Sequence, residues 1–310
     1  MGRQLAEHWG ITEAELTGRL GNHLLRLNID TPVRLSDDGR VSFDWWGVGF
    51  DTGEEGYFTR VNPLADTQDL EAFPWPNPNA PGLFNKAAAT LSADRNVHFS
   101  ACNLGFCLFE RAWSLRGFSS FLMDMVANPG FANALLDRIV EIQLVLIDRF
   151  IDLGIDGGYF GDDYGSQTSL LCSPKTWRAL IKPRLARLFE PFRAAGLPIL
   201  MHSDGNITTI IPDLVEIGLT TLNPVQPEVL NHGWLRNAFG TNLSYYGGIS
   251  TQTVLPTGSP ADVRTAVHAC ASALAWHNTG LVLAPSHRMM SDVPPDNVDA
   301  LLAAFAELNV

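Results

Sequence analysis

Apolar and polar positions along this chain follow two different rhythms, and the change falls near residue 96. Before it the pattern is broken. Apolar residues at helical spacing predict a helix from Glu13 to Leu27. VSFDWWGVGFDTGEEGYFTRV, from Val41 to Val61, reads as two or three short strands, with turns at Asp51–Gly53 and Glu55–Gly56. FPWPNPNAPG then places four prolines in ten residues. Proline fixes φ and lacks an N–H, so this stretch is expected to be a fixed, extended connector. Residues 1–95 therefore read as a helical and β-hairpin extension packed on the rest of the chain.

From residue 96 to 310 short apolar strands alternate with longer amphipathic helices. The strands are carried by VHFSACNLG, IDGGYFGDDYG, PILMHSDG, TTLNPVQ, LSYYGGIS and LVLAPSH. Asn128-Pro129, Ser173-Pro174 and Ser259-Pro260 are helix starts, a capping side chain followed by proline at the first helical position. Pro183 should kink or split the helix it falls in. Six strand–helix units argue for parallel βαβ architecture within one structural domain. Nearly every strand ends in polar groups: Asn103, Asp162, Asp163, His202, Asp204, Asn223, Gln226, Ser250, Ser286 and His287. A barrel gathers all such ends around one mouth, whereas a doubly wound sheet would gather only those at its switch point. No GxGxxG or GxxxxGK[ST] phosphate loop is present. The expected fold is thus an α/β barrel of the TIM type, with its site at the C-terminal strand ends.

Composition narrows the function classes. A net charge of −12 and no basic cluster speak against nucleic acid or an anionic lipid surface as partner. The opening MGRQLAEHWG has no apolar core of signal-peptide length, and no run of about 18 apolar residues occurs, so a cytoplasmic location without a membrane span is expected. Residue six is Ala6, which departs from the myristoylation pattern. Cys102, Cys107, Cys172 and Cys270 show no CxxC spacing and read as small buried hydrophobes.

DWWGVGF, FERAWSLRGFSSFLMDMVANPGFANALLDRI, GDDYGSQTSLLCSPKTWRALIKPRLARLF, PILMHSDGNITTIIPDLVEIGLTTLNPVQPE, YYGGISTQTVLPTGSPADVR and LVLAPSHRMMSDVPPDNVDALLAAF together resemble the uroporphyrinogen decarboxylase superfamily, over roughly residues 40–308. That superfamily also holds the cobalamin-dependent methyltransferases, which move methyl groups from corrinoid proteins to thiols. The resemblance implies a distorted (β/α)8 barrel and one of two reactions. True decarboxylases carry an arginine-rich N-terminal segment for the substrate carboxylates, and an early strand and loop bearing an essential aspartate. Here the first 30 residues hold only Arg3, Arg19 and Arg26, expected along a helix, and no counterpart of either feature is recognised. The methyltransferase branch, often homodimeric, is therefore the expected one. Its partners would be a small-molecule methyl acceptor and a methylcorrinoid, free or on a corrinoid protein. Decarboxylation of a tetrapyrrole, or a catalytically idle binding barrel, are the alternatives.

The methyltransferases hold zinc with a His-x-Cys after one strand and a Cys after the last. This chain has His202-Ser203-Asp204 and Ser286-His287 in those places. Two imidazoles and a carboxylate still make a three-ligand site with one open position, suited to zinc, or to Fe, Mn or Co. His202 and Asp204 point to the same side of a strand, although Asp204 could instead cap the following helix. Adjacent Asp162 and Asp163 point to opposite sides, and Asp163 is expected at the mouth, as base or substrate anchor. Gln167, Asn223 and Gln226 are candidate substrate contacts. Trp46, with Trp45, would either cover the pocket or pack the N-terminal strands. Glu110 beside Arg111 reads as a surface ion pair, and the remaining histidines read as structural.

Overall fold

Gly21, left-handed at φ 65°, stops the first helical stretch early. The computed structural model describes residues 1–53, 58–94, 96–277 and 279–308, so the expected Glu55–Gly56 turn lies outside the described residues. Helix α1 (Gly2–Trp9) is followed by a single 3-10 turn, Glu13–Glu15, and α2 (Leu16–Leu20). The helix expected from Glu13 to Leu27 is therefore only half present, because Leu24–Leu27 forms strand β1. Leu25 and Leu27 turn to the main core while Leu24 turns to the opposite face, the period of two that a strand imposes. β2 (Arg34–Leu35), β3 (Val41–Phe43), β4 (Gly49–Asp51) and β5 (Thr59–Val61) form a separate antiparallel sheet of four strands in that order.

The proline-rich stretch leads into α3 (Asn85–Asp94), and the repeat then begins. It runs β6 (Phe99–Gly105), α4 (Phe109–Arg116), α5 (Phe118–Ala127), α6 (Pro129–Asp152), β7 (Gly157–Gly161), α7 (Pro174–Leu180), α8 (Lys182–Ala194) and β8 (Ile199–His202). It continues with α9 (Ile211–Glu216), β9 (Thr221–Asn223), α10 (His232–Phe239), β10 (Ser244–Ile249), α11 (Val254–Thr257), α12 (Pro260–Leu274), β11 (Leu281–Pro285) and α13 (Pro295–Glu307). Asn128, Ser173 and Ser259 each accept a backbone N–H of the helix that follows, as their sequence implies. The helix around Pro183 is split, at Ile181, because the proline sits in the first turn of α8.

The main sheet has seven parallel strands in the order β1-β6-β7-β8-β9-β10-β11. Among the described residues no ladder joins β1 to β11, so the sheet is a curled open arc of seven strands, in keeping with the distorted TIM-type barrel expected but without its eighth strand and its closure. The chain between β1 and β6 goes to the antiparallel sheet and α3, and among its described residues contributes no further parallel strand. Residues alternate between the two faces of the arc. Cys102, Leu104, Phe160, Ile199 and Met201 join the large core beneath the helices, where Phe160 meets Phe189 and Phe192 edge-on. Ala101, Tyr159 and Leu200 form a smaller inner cluster with Leu24, Phe99 and Tyr246. α1 ties the ends of the chain together, since His8 and Trp9 both hydrogen-bond Asp299 of α13, each at 2.7 Å. No described helix is long and apolar enough to cross a membrane.

Candidate functional site

The C-terminal ends of the parallel strands carry the site. His202 closes β8 on the same face as Leu200, and the β8–β9 register sets it beside Asn223. Its Nδ1 lies 2.7 Å from Asn223 Oδ1. The Asn223 amide has a fixed orientation, because Nδ2 donates to the Tyr246 carbonyl at 2.9 Å and a carbonyl can only accept. Oδ1 therefore faces His202 and takes the proton on Nδ1, and it also accepts from the Tyr159 hydroxyl at 2.9 Å. A neutral His202 is left with its lone pair on Nε2, pointing toward the acids of the mouth.

Those acids are close. His202 Nε2 is 3.7 Å from Asp204 Oδ1 and 3.8 Å from Asp163 Oδ1, and His287 Nε2 is 3.7 Å from Asp204 Oδ2. The two imidazole centroids are 6.0 Å apart. One atom each from His202, Asp204 and His287 lies within 4.8 Å of the others. Tetrahedral ligands at 2.0–2.2 Å from a zinc ion stand about 3.4 Å from one another, so small side-chain adjustments would bring all three onto one ion. Burial raises the Asp204 pKa, His202 and His287 pull against it, and Asp163 adds to the rise. Asp204 caps no helix among the described residues; Asn206 takes the Thr208 N–H instead.

Asp163 faces the mouth, as its alternation with Asp162 requires, and accepts the Asp204 N–H at 2.8 Å. Asp162 points the other way. It is fully buried and accepts from Phe109 N–H, Glu110 N–H and the Tyr164 hydroxyl, capping α4. Burial, only partly offset by these donors, pushes Asp162 up to about 6. The loops bearing Asp163 and Asp204 touch backbone to backbone. A Cβ on Gly165 would come within 2.7 Å of Gly205 C and Asn206 N.

A family profile described as uroporphyrinogen decarboxylase (URO-D) matches residues 41–308. The chain belongs to the uroporphyrinogen decarboxylase family. Among solved structures it is similar to a methyltransferase from Methanosarcina mazei, at 18% identity and a TM-score of 0.71 over 96% of this chain and 84% of that one. It is also similar to a B12-independent methionine synthase from Shewanella sp. W3-18-1, at 13% identity and a TM-score of 0.51 over 99% of this chain and 85% of that one. At such identities the likeness is one of fold. No curated protein matches by sequence.

Within this uroporphyrinogen decarboxylase family member, some expected residues sit elsewhere. Gln167 is exposed on the loop after β7 and lines no part of the cavity beside His287. Trp46 is 6% exposed and packs in the core, edge-on to Trp45 and Trp75 and under the Arg111 guanidinium, the second of the two roles expected for it. Asn223 holds His202 through its Oδ1. Glu110 corrects the surface ion-pair reading: it is buried next to the acids of the mouth, while Arg111 pairs with Asp44. Burial, then the charges of Asp163 and Asp162, push the Glu110 pKa well above the usual carboxylate range. The signal was available, since a helix that begins right after a strand end opens at the barrel mouth. Gln226 does line the cavity, a space of about 280 Å³ shared with Asp204, Thr251, Ser286, His287 and Arg288. Arg26, expected along a helix, lies instead on β1, its guanidinium 5.0 Å from the Tyr159 ring centroid. An early strand is nevertheless present, β1, and Asp30 on the loop after it accepts the Lys86 N–H at 2.6 Å.

Proposed function

We propose that this chain is a methyltransferase that moves a methyl group between a corrinoid and a small acceptor held at a divalent ion, zinc before Fe, Mn or Co, by His202, Asp204 and His287. The observation that carries the reading is the convergence of these three ligand atoms within 4.8 Å at the mouth, on a fold shared with a methyltransferase. The donor set fits such an ion: nitrogen, oxygen and nitrogen, with the first imidazole already held in the binding tautomer by Asn223. When bound, the ion is a Lewis acid that stabilises negative charge developing on the acceptor.

The chain's own groups supply the rest. Asp163, with Oδ1 turned to the site, accepts the proton that the acceptor gives up. Burial and the charges of Asp163 and Asp162 raise the Glu110 pKa, which favours its protonated form beside Asp163. Methyl transfer is a displacement, and its main demand is a positioned nucleophile in a cavity open at one side. Sulfur is absent from the ligand set, which widens the acceptor class beyond thiols.

Decarboxylation keeps one observation in its favour: Arg26 on β1 stands by Tyr159, where a substrate carboxylate could meet it. One experiment decides between the two. Purified protein is analysed for metals and assayed with methylcob(III)alamin plus candidate acceptors, and separately with uroporphyrinogen III. We expect about one metal per chain, demethylation of the cobalamin, and loss of both in His202→Ala with an unchanged melting temperature. Uroporphyrinogen III turnover without cobalamin demethylation would overturn the proposal, as would metal content indifferent to His202→Ala. An idle barrel would show neither metal nor turnover.

A further inference from the structure

We infer that the cavity beside His287 is a subsite for a carboxylate carried by the acceptor. This rests on the metal-site reading just given and specifies its substrate class. Gln226 is 5% exposed, yet its Nε2 has no hydrogen-bond partner among the described residues. A buried amide donor without a partner is costly, and a ligand that supplies an acceptor there relieves that cost. Gln226 is one of the residues lining a cavity that Asp204 and His287 also line, so its unsatisfied amide belongs to the wall that carries two of the proposed ligands.

Arg288 lines the same space and, among the described residues, forms no ion pair or hydrogen bond. In a chain with 33 acids against 21 basic residues, a guanidinium at a cavity rim without an acid partner stands out. Among the cavity residues Asp204 is the one acid. With a divalent ion on Asp204 and the two imidazoles, the cavity wall carries a net positive charge and favours an anion. A guanidinium fork and an amide N–H suit a planar carboxylate. At about 280 Å³ the cavity is at the small end of ligand pockets. The acceptor is therefore a short molecule whose carboxylate lies between Gln226 and Arg288 and whose reacting atom lies at the ion.

The test compares 3-mercaptopropionate with its neutral amide by titration calorimetry, on metal-loaded and on chelator-stripped full-length protein. Both probes carry the same thiol and differ only at the end the cavity is proposed to bind. We expect the acid to bind at least about tenfold more tightly than the amide in both forms. Arg288→Gln, an exposed change that leaves the core intact, should reduce that preference to about twofold or less. Gln226→Leu should weaken the acid about fivefold or more with metal content unchanged. Equal affinities in the parent protein, a preference untouched by Arg288→Gln, or no binding of the acid below about 10 mM would each overturn the inference. A preference seen in stripped protein that takes up no metal on reconstitution would support the anion site while removing the metal reading, so the two fail separately.

Discussion

Most of the hydrogen-bonding capacity of Asn223 is spent within the protein: its oxygen serves His202 and Tyr159, and its amide nitrogen donates to the Tyr246 carbonyl. It acts through His202, by holding the proton on Nδ1. Asn223→Ala should therefore weaken zinc binding about 10–100-fold, the usual effect of removing the partner that orients a ligating histidine. Competition with a chromophoric chelator measures this, and an unchanged affinity would remove Asn223 from the site. The sequence shows Asn223 as a polar strand end but not its partner. Its bond to His202 spans 21 residues and exists only because β8 and β9 pair in the register His202↔Asn223, which periodicity does not determine. Glu110 was misread for a similar reason. The adjacent arginine looked like its partner, yet neighbours on a helix do not face each other, and Arg111 pairs instead with Asp44, 67 residues away. His202, Asp204 and His287 were legible as a group because each ends a strand, and strand ends of one sheet meet at one edge.

Between residues and fold, the loops after β7 and β8 behave as one unit. Gly165 and Gly205 let their backbones touch, and the Asn206 N–H donates to the Ser166 carbonyl at 2.7 Å. Asp163 and Asp204 ride on these two loops and are tied by the Asp204 N–H. Gly165→Ala would drive a methyl group into the Asp204–Asn206 backbone, and we expect it to cost about 1–3 kcal/mol of stability, as overpacking does, and to lower metal affinity as well. Urea unfolding and metal titration check the two effects, and a variant equal to the parent in both would show that the loops are independent. Helix starts were read correctly from Asn128, Ser173 and Ser259 because the capping chemistry is local. Strand β1 was missed because its four residues, LLRL, satisfy a helical and a strand pattern equally, and only pairing with β6 decides between them.

At the scale of the whole molecule, stability should depend on pH through the carboxyls buried behind the mouth. Asp162 in the folded state sits at about 6, above its ordinary value of 3.8. An acid raised on folding contributes stability in full below about pH 4 and loses it as the pH rises through about 6. Asp162→Asn should therefore show a smaller fall in unfolding free energy between pH 4 and 7 than the parent, by on the order of 3 kcal/mol, whatever constant cost the amide adds. Parallel curves for the two proteins in urea would refute it. The alternation of strands and helices was legible over the whole second part of the chain, since it depends only on where apolar residues fall. Closure was not, because it depends on strand number and stagger, which no single segment records. The open edge between β1 and β11 has a mechanical consequence. A closed barrel has its radius set by the number and shear of its strands, but an arc of seven does not. The aperture of this mouth is thus set by the twist shared among its strands and not by closure of the sheet.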